Sequence, residues 1–209
     1  MKLLHIIASP RGEKSRTTSI ANEFINSLKS KHADLVVEDL DLFQLNLPTL
    51  NQSVTEAKYM TIAGATLDTA SQFMWNEVTD IATSFASFDI YVISAPMWNF
   101  SVPYKLKHYI DVIMQPGILF KFTATGVEGL TKNKKMICIT SRGSDYSVGS
   151  PMNVMDFQES YLRAIFGFAG ITDVSFVNAQ PLDYTPDLTA MKINEANEAA
   201  LDLAASISF

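Results

Sequence analysis

The chain has 209 residues, of which 47% are hydrophobic and 18% charged, with one cysteine and a formal net charge of −6. That length suits one domain with a full core, and the composition excludes a disordered chain. The acidic balance excludes the broad basic surface that nonspecific nucleic-acid binding relies on, and no apolar run reaches the roughly 18 residues of a membrane span.

The opening "MKLLHIIASP" has too short an apolar stretch, and no small-residue cleavage site, for a signal peptide. It reads as the first strand of a cytoplasmic protein. Four more apolar, β-branched runs follow: "LVVEDLDL" (35–42), "DIYVISAP" (89–96), "KKMICITS" (134–141) and "DVSFVNAQ" (173–180). The runs at 2–9, 89–96 and 134–141 are almost continuously apolar, as in strands covered on both faces. The other two alternate more and belong nearer the sheet edges. Between the strands the period turns helical: Ile20, Phe24 and Leu28 form one stripe, and Leu106, Ile110 and Ile113 another. Near the end, Ile193, Ala196, Ala200, Leu203 and Ile207 form a third. Residues 68–88 and 152–168 also read as helices. Such alternation predicts a doubly wound α/β fold, a five-stranded parallel sheet with helices on both faces. Two inserts interrupt it: 43–66, of mixed loop and short helix, and 117–133, where alternating apolar residues and glycines predict a hairpin or flap. No repeat or linker divides residues 1–209, so one domain is expected.

In open α/β sheets ligands bind beyond the carboxyl ends of the strands, where strand order reverses. Three loops there have unusual composition. The first, within "IIASPRGEKSRTTS" (6–19), gathers Ser9, Ser15, Arg16 and Thr17 ahead of a helix. Two readings compete, an ordinary helix cap and an anion site built on free amides and the helix dipole. Neither the dinucleotide glycine pattern nor a P-loop is present, so the anion would be a monophosphate held without metal. The second loop, "SAPMWNFSVPYKLKHYID" (94–111), places Met97, Trp98, Asn99 and Phe100 in a turn after Pro96. Its aromatic rings either pack into a core or subunit contact, or back a flat ring system such as isoalloxazine. The third, "TSRGSDYSVGSP" (140–151), runs from a buried strand into Ser141, Arg142, Gly143 and Ser144. Alone it is a turn; at the same sheet edge it supplies a second wall, and Gly143 permits positive φ or close backbone approach. Together the loops suit a flavin mononucleotide.

Other chemistry is poorly supported. His5, His32 and His108 lack metal-ligand spacing, no serine-nucleophile elbow is present, and Cys138 inside "MICIT" reads as a buried small hydrophobe. Asp111 and Glu128 read as helix-face and turn residues.

The strings "APMWNFSVPYKLKHYID", "GVEGL", "KKMICITSRG" and "FGFAGITDVSFV" resemble the FMN-dependent NADH:quinone oxidoreductase and azoreductase family over residues 1–206. The resemblance implies a flavodoxin-like fold, bound FMN, NADH or NADPH as co-substrate, and a homodimer with two active sites at its interface. It further implies two-electron, ping-pong reduction of quinones and azo compounds through flavin N5, with no side chain assigned as catalyst and no metal, nucleic acid or membrane involved. By position, Ser9, Ser15, Arg16 and Thr17 match the phosphate loop, Met97 to Phe100 the isoalloxazine turn, and Ser141 to Ser144 the third FMN loop. Phe120 and Phe122 fall in the substrate flap. Trp98 and Phe122 stand where tyrosine is usual, Ser144 where a second glycine is usual, and Arg16 where a neutral polar residue is common. Two rivals remain: a flavodoxin-like electron-transfer module served by a protein partner, and a flavin-free regulatory domain. An open flavin edge would suit the first, and the flap argues against it.

Overall fold

A computed structural model describes residues 1–207. In chain order the elements are β1 (Lys2–Ile7), α1 (Arg16–Lys31), β2 (Val36–Asp41), α2 (Gln52–Ile62), α3 (Thr69–Ala86), β3 (Ile90–Pro96) and α4 (Tyr104–Ile113). They continue with β4 (Phe120–Thr123), β5 (Gly126–Gly129), β6 (Lys135–Ser141), α5 (Phe157–Ala169), β7 (Asp173–Ala179) and α6 (Pro186–Ser206). The main sheet has five parallel strands in the order β2-β1-β3-β6-β7, and β4 pairs antiparallel with β5. The two alternating runs, β2 and β7, are the sheet edges, as their pattern predicts.

Each sheet face buries its own core. Leu4, Ile6, Tyr91, Ile93, Met136 and Cys138 face α3, α4 and α5, where Phe85, Tyr109, Leu162 and Phe166 cover them. Leu3, Ile90, Val92, Ile137 and Ile139 face α1 and α6. There Phe24 and Leu28 meet the small stripe Ala196, Ala200 and Ala204, which lets the two helices approach closely. Each fully buried large side chain contributes roughly 1.5–3 kcal/mol. Cys138 is buried as expected, and its burial pushes the thiol pKa up, so it is not a reactive thiolate.

Two helices start elsewhere than their periodicity suggests. α6 begins at Pro186, capped by the Thr185 hydroxyl, which accepts from Leu188 N at 3.3 Å; proline at the first helical position needs no donor. The 152–168 pattern breaks into a 3₁₀ turn at Asn153–Met155 and then α5, because the Asp156 carboxylate takes the Gln158 and Glu159 amides at 3.1 and 2.9 Å. One polar contact crosses three strands: buried His5 places Nδ1 2.9 Å from Asp39 Oδ1 and Nε2 3.0 Å from Ser94 Oγ. Burial lowers the His5 pKa, opposed by the hydrogen bond and charge of Asp39.

The hairpin forms as predicted, but far from the carboxyl ends of the strands. Leu130 N donates to Leu119 O, Thr131 N donates to Ala169 O, and Gly129 lies against the Ala169–Gly170 backbone, just before β7. α5 runs from the other end of the sheet, where Phe157 N bonds Phe100 O. Its 13 residues place about 20 Å between the two ends.

Candidate functional site

The loop after β1 folds back through a 3₁₀ turn at Gly12–Lys14, with Gly12 at φ 53°. Ser15 then caps α1, its Oγ accepting from Thr18 N at 3.3 Å and from Thr18 Oγ1 at 2.9 Å. Thr17 Oγ1 lies 3.1 Å from the same oxygen. Ser9, Ser15 and Thr17 are buried, and the first turn of α1 holds no acidic residue. The positive end of the helix dipole is therefore not countered by a side chain of that turn, and small hydroxyls surround it. The cap and the anion site need not compete, because Ser15 can cap the helix and still present its hydroxyl.

After β3 the chain makes a two-residue turn. Trp98 N donates to Ser101 O and Ser101 N to Trp98 O, at 2.9 and 3.0 Å. The central residues Asn99 and Phe100 both lie at positive φ, 48° and 70°, the signature of a type I′ turn. Phenylalanine is strained there, by roughly 1–3 kcal/mol. The bond from Phe157 N to Phe100 O, at 3.1 Å, helps hold it. The rings stay out of the core: Trp98 is 36% and Phe100 37% exposed. Trp98 packs at the rim beside Phe43 and Tyr104, with ring centroids 6.2 and 6.4 Å away.

After β6, Ser141 O accepts from Met97 N at 2.9 Å, tying this loop to the aromatic turn. Gly143 O accepts from Leu182 N and Asp183 N. A Cβ at Gly143 would run into the Asp183 carboxylate. Neither expected reason for a glycine applies here: its φ is not positive, and the close neighbour is the Asp183 side chain rather than backbone.

These loops enclose a cavity of about 260 Å³. Its walls are Ser9, Pro10, Arg11, Ser15, Arg16 and Thr17 from the first loop, Pro96, Met97 and Trp98 from the second, and Ser141, Arg142 and Gly143 from the third. Leu182 and Asp183 complete it. A second hollow of about 300 Å³ is walled by Met97, Asn99, Phe100, Gly143, Ser144, Tyr146 and Asp183. The two share Met97, Gly143 and Asp183 and form one tract, polar and cationic at one end and partly aromatic at the other.

Three placements differ from the sequence reading. Phe120 and Phe122 are not in this tract: Phe120 packs on Phe168, and Phe122, 70% exposed, lines a groove with Ile62 and Trp75. Within one chain the flap does not screen the cavity. Arg142 reaches the wall, but its guanidinium turns behind it, donating from Nε to Thr140 Oγ1 at 3.0 Å and from Nη1 to Asp156 Oδ2 at 2.7 Å. Burial pushes its pKa down, while Asp156 and Glu159 oppose the shift. Finally, sequence reasoning omitted Leu182 and Asp183, in the loop after β7 that follows the cis Gln180–Pro181 bond. The signal was present, since that loop also leaves a carboxyl end of the sheet.

Among the described residues no group of three or more His, Cys, Asp or Glu side chains is arranged to hold a metal ion. No helix there is long and apolar enough to cross a membrane.

Comparisons with known proteins agree with this architecture. A family model described as a flavodoxin-like fold matches residues 1–203. An FMN-dependent NADH:quinone oxidoreductase of Nitratidesulfovibrio vulgaris is 37% identical over 203 residues, 97% of each chain. FMN-dependent NADH:quinone oxidoreductase 3 of Pseudomonas fluorescens is 38% identical over 210 residues, covering 99% of this chain and 97% of its own. Among solved structures, an azoreductase from Bacillus anthracis superposes with a TM-score of 0.90 at 26% identity, covering 99% of this chain and 100% of the other. An FMN-dependent NADH-azoreductase from the same species, in complex with FMN, gives 0.85 at 31% identity, covering 97% and 99%.

Proposed function

We propose, from the premise that the chain belongs to the flavodoxin-like family that includes the FMN-dependent NADH:quinone oxidoreductases, that it binds FMN and uses NADH or NADPH to reduce quinones and cleave aromatic azo compounds. One observation carries this reading: a hydroxyl-lined helix N-terminus and a strained aromatic turn meet in one tract sharing Met97, Gly143 and Asp183.

The residues present fit the cofactor. Ser9, Ser15 and Thr17, with the first amides of α1, offer donors to a phosphate, each bond to a charged group being worth roughly 1.5–3 kcal/mol. Arg11 and Arg16 add positive charge at the same wall. Met97 to Phe100 back the flat ring, and Gly143 and Ser144 approach it from the other side. When bound, FMN supplies two-electron redox chemistry, while the protein contributes position and electrostatics. The chain's own work is to anchor the phosphate, hold the ring against the turn and leave one ring face open to flat substrates.

We also infer one domain, a cytoplasmic location and a homodimer. The hairpin supports the dimer, because α5 holds it about 20 Å from the aromatic turn of its own chain, so the site it would flank belongs to a second copy. Exposed Tyr59, Ile62, Phe73 and Phe122 offer apolar surface for such a contact. The same placement keeps one rival alive: with the cavity unscreened in a single chain, an electron-transfer module served by a protein partner also fits.

Anaerobic mixing of the FMN-loaded protein with NADH, then with a quinone, separates the readings. The proposal expects bleaching of the flavin absorbance on a catalytic timescale and its return with the quinone. A flavin that binds but does not bleach with NADH or NADPH contradicts the enzyme and supports the carrier.

A further inference from the structure

The amino end of α5 touches both loops that wall the ring side of the tract. Phe157 N donates to Phe100 O at 3.1 Å, and Gln158 Nε2 donates to Pro96 O at 3.1 Å. Asp156 does two jobs with two oxygens. Oδ1 caps the helix, and Oδ2 takes the Arg142 Nη1 bond at 2.7 Å. The side chains of Arg142 and Asp156 are only 1% and 9% exposed.

Helix capping alone does not account for this pair. Asparagine or serine would cap α5 equally well, and a loop arginine could stay in water. Burying a guanidinium is costly even when it is paired, and an apolar side chain of similar volume is often as stabilising or more so. The desolvation is only partly answered here: Nη2 makes no hydrogen bond and lies 3.8 Å from Glu159 Oε2. What the pair adds is geometry. Arg142 immediately precedes Gly143 and Ser144, so its side chain fixes their backbone to the helix that also holds the positive-φ turn.

We propose that Asp156 and Arg142 are positioning residues, which couple the Gly143–Ser144 wall to the Trp98–Ser101 turn through the first turn of α5 and so set the width of the flavin tract. This rests on the flavin reading above. Asp156 itself lines neither hollow of the tract, so it acts through Arg142 and α5 rather than by touching the cofactor.

The test compares the full-length protein with Arg142→Met, Asp156→Asn and the double variant. Thermal unfolding is measured without flavin, and FMN affinity by flavin fluorescence quenching. Each single variant strands a buried partner and melts lower. The double variant keeps the cap, buries no unpaired arginine, and leaves Thr140 Oγ1 its bond to Asn178 Oδ1, so it recovers most of the lost melting temperature. Its FMN dissociation constant nonetheless rises about tenfold, within the range of coupling in such networks. Arg142→Lys, which keeps a buried cation, gives a smaller loss of affinity than Arg142→Met. Faster amide exchange at Gly143 and Ser144 in the flavin-free double variant reports the same loosening without any cofactor. A double variant that melts like the parent and binds FMN within about twofold of it overturns the inference and leaves the flavin reading intact. A parent protein that binds no FMN overturns both.

Discussion

The two ends of the sheet are built on different principles. At the carboxyl ends of the strands, the structure accepts cost. A phenylalanine sits at positive φ and an arginine is buried. At the amino ends, the hairpin follows ordinary packing and charge pairing. Two backbone segments meet at Gly129 and Gly170 with no room for a Cβ. Glu128 pairs with Lys132 and Lys121, whose hydrogen bonds hold its pKa down to about 2. Local strain concentrates where function needs a fixed geometry, and the contrast marks which end that is.

The comparison can be broken most sharply at Gly129. Alanine there would meet the backbone of Ala169 and Gly170, so Gly129→Ala costs about 3 kcal/mol in denaturant unfolding. The walls of the tract in the same chain do not move, so a loss of FMN affinity larger than about twofold would have to come through the hairpin's contact with a second copy, and should disappear when the protein is made monomeric. Next in size is Ser15→Ala. It removes a cap worth about 1 kcal/mol, and with it a phosphate donor, so FMN binding weakens by roughly tenfold in the fluorescence titration. Phe100→Gly acts in the opposite direction on stability. It completes the Asn-Gly pair that a type I′ turn favours and raises stability by about 1 kcal/mol, while FMN binding weakens through loss of the ring. Melting temperature and affinity moving together would remove the case for strain held at the site.

The smallest effect is a pH slope. Burial lowers the His5 pKa below its ordinary 6.5, so the unfolded chain binds that proton more readily than the folded one. The stabilisation is complete above pH 6.5 and is lost as pH falls from there through the lowered native value. His5→Gln should flatten that part of the stability–pH profile measured by denaturant unfolding. An unchanged slope would place the titrating group elsewhere.

How legible each part was follows from how local its cause is. The inner strands β1, β3 and β6 could be read from nearly continuous apolar runs, because burial on both faces leaves few polar positions, His5, Ser94 and Thr140 among them. The site loops could be read from one topological rule together with their composition. The same rule marks the loop that carries Asp183, but not its place over Gly143, which depends on how the chain turns after an edge strand. The direction of the Arg142 guanidinium was equally hidden, since a sequence shows a cation but not the carboxylate 14 positions later that draws it inward. For the hairpin, alternation and glycines announced its existence but said nothing of its location, which is decided by the glycine contact with the end of α5. Asp156 looked like one residue in a helical stretch; only the carboxylate's two bonding directions reveal it as a junction.

A crystal structure of the protein soaked or grown with FMN tests the central claim most directly. The account predicts the phosphate at the N-terminus of α1 among Ser9, Ser15 and Thr17, with the ring system between the Met97–Phe100 turn and Gly143. Density for the flavin at any other place, or a tract blocked by the protein's own chain in the presence of saturating FMN, would contradict it.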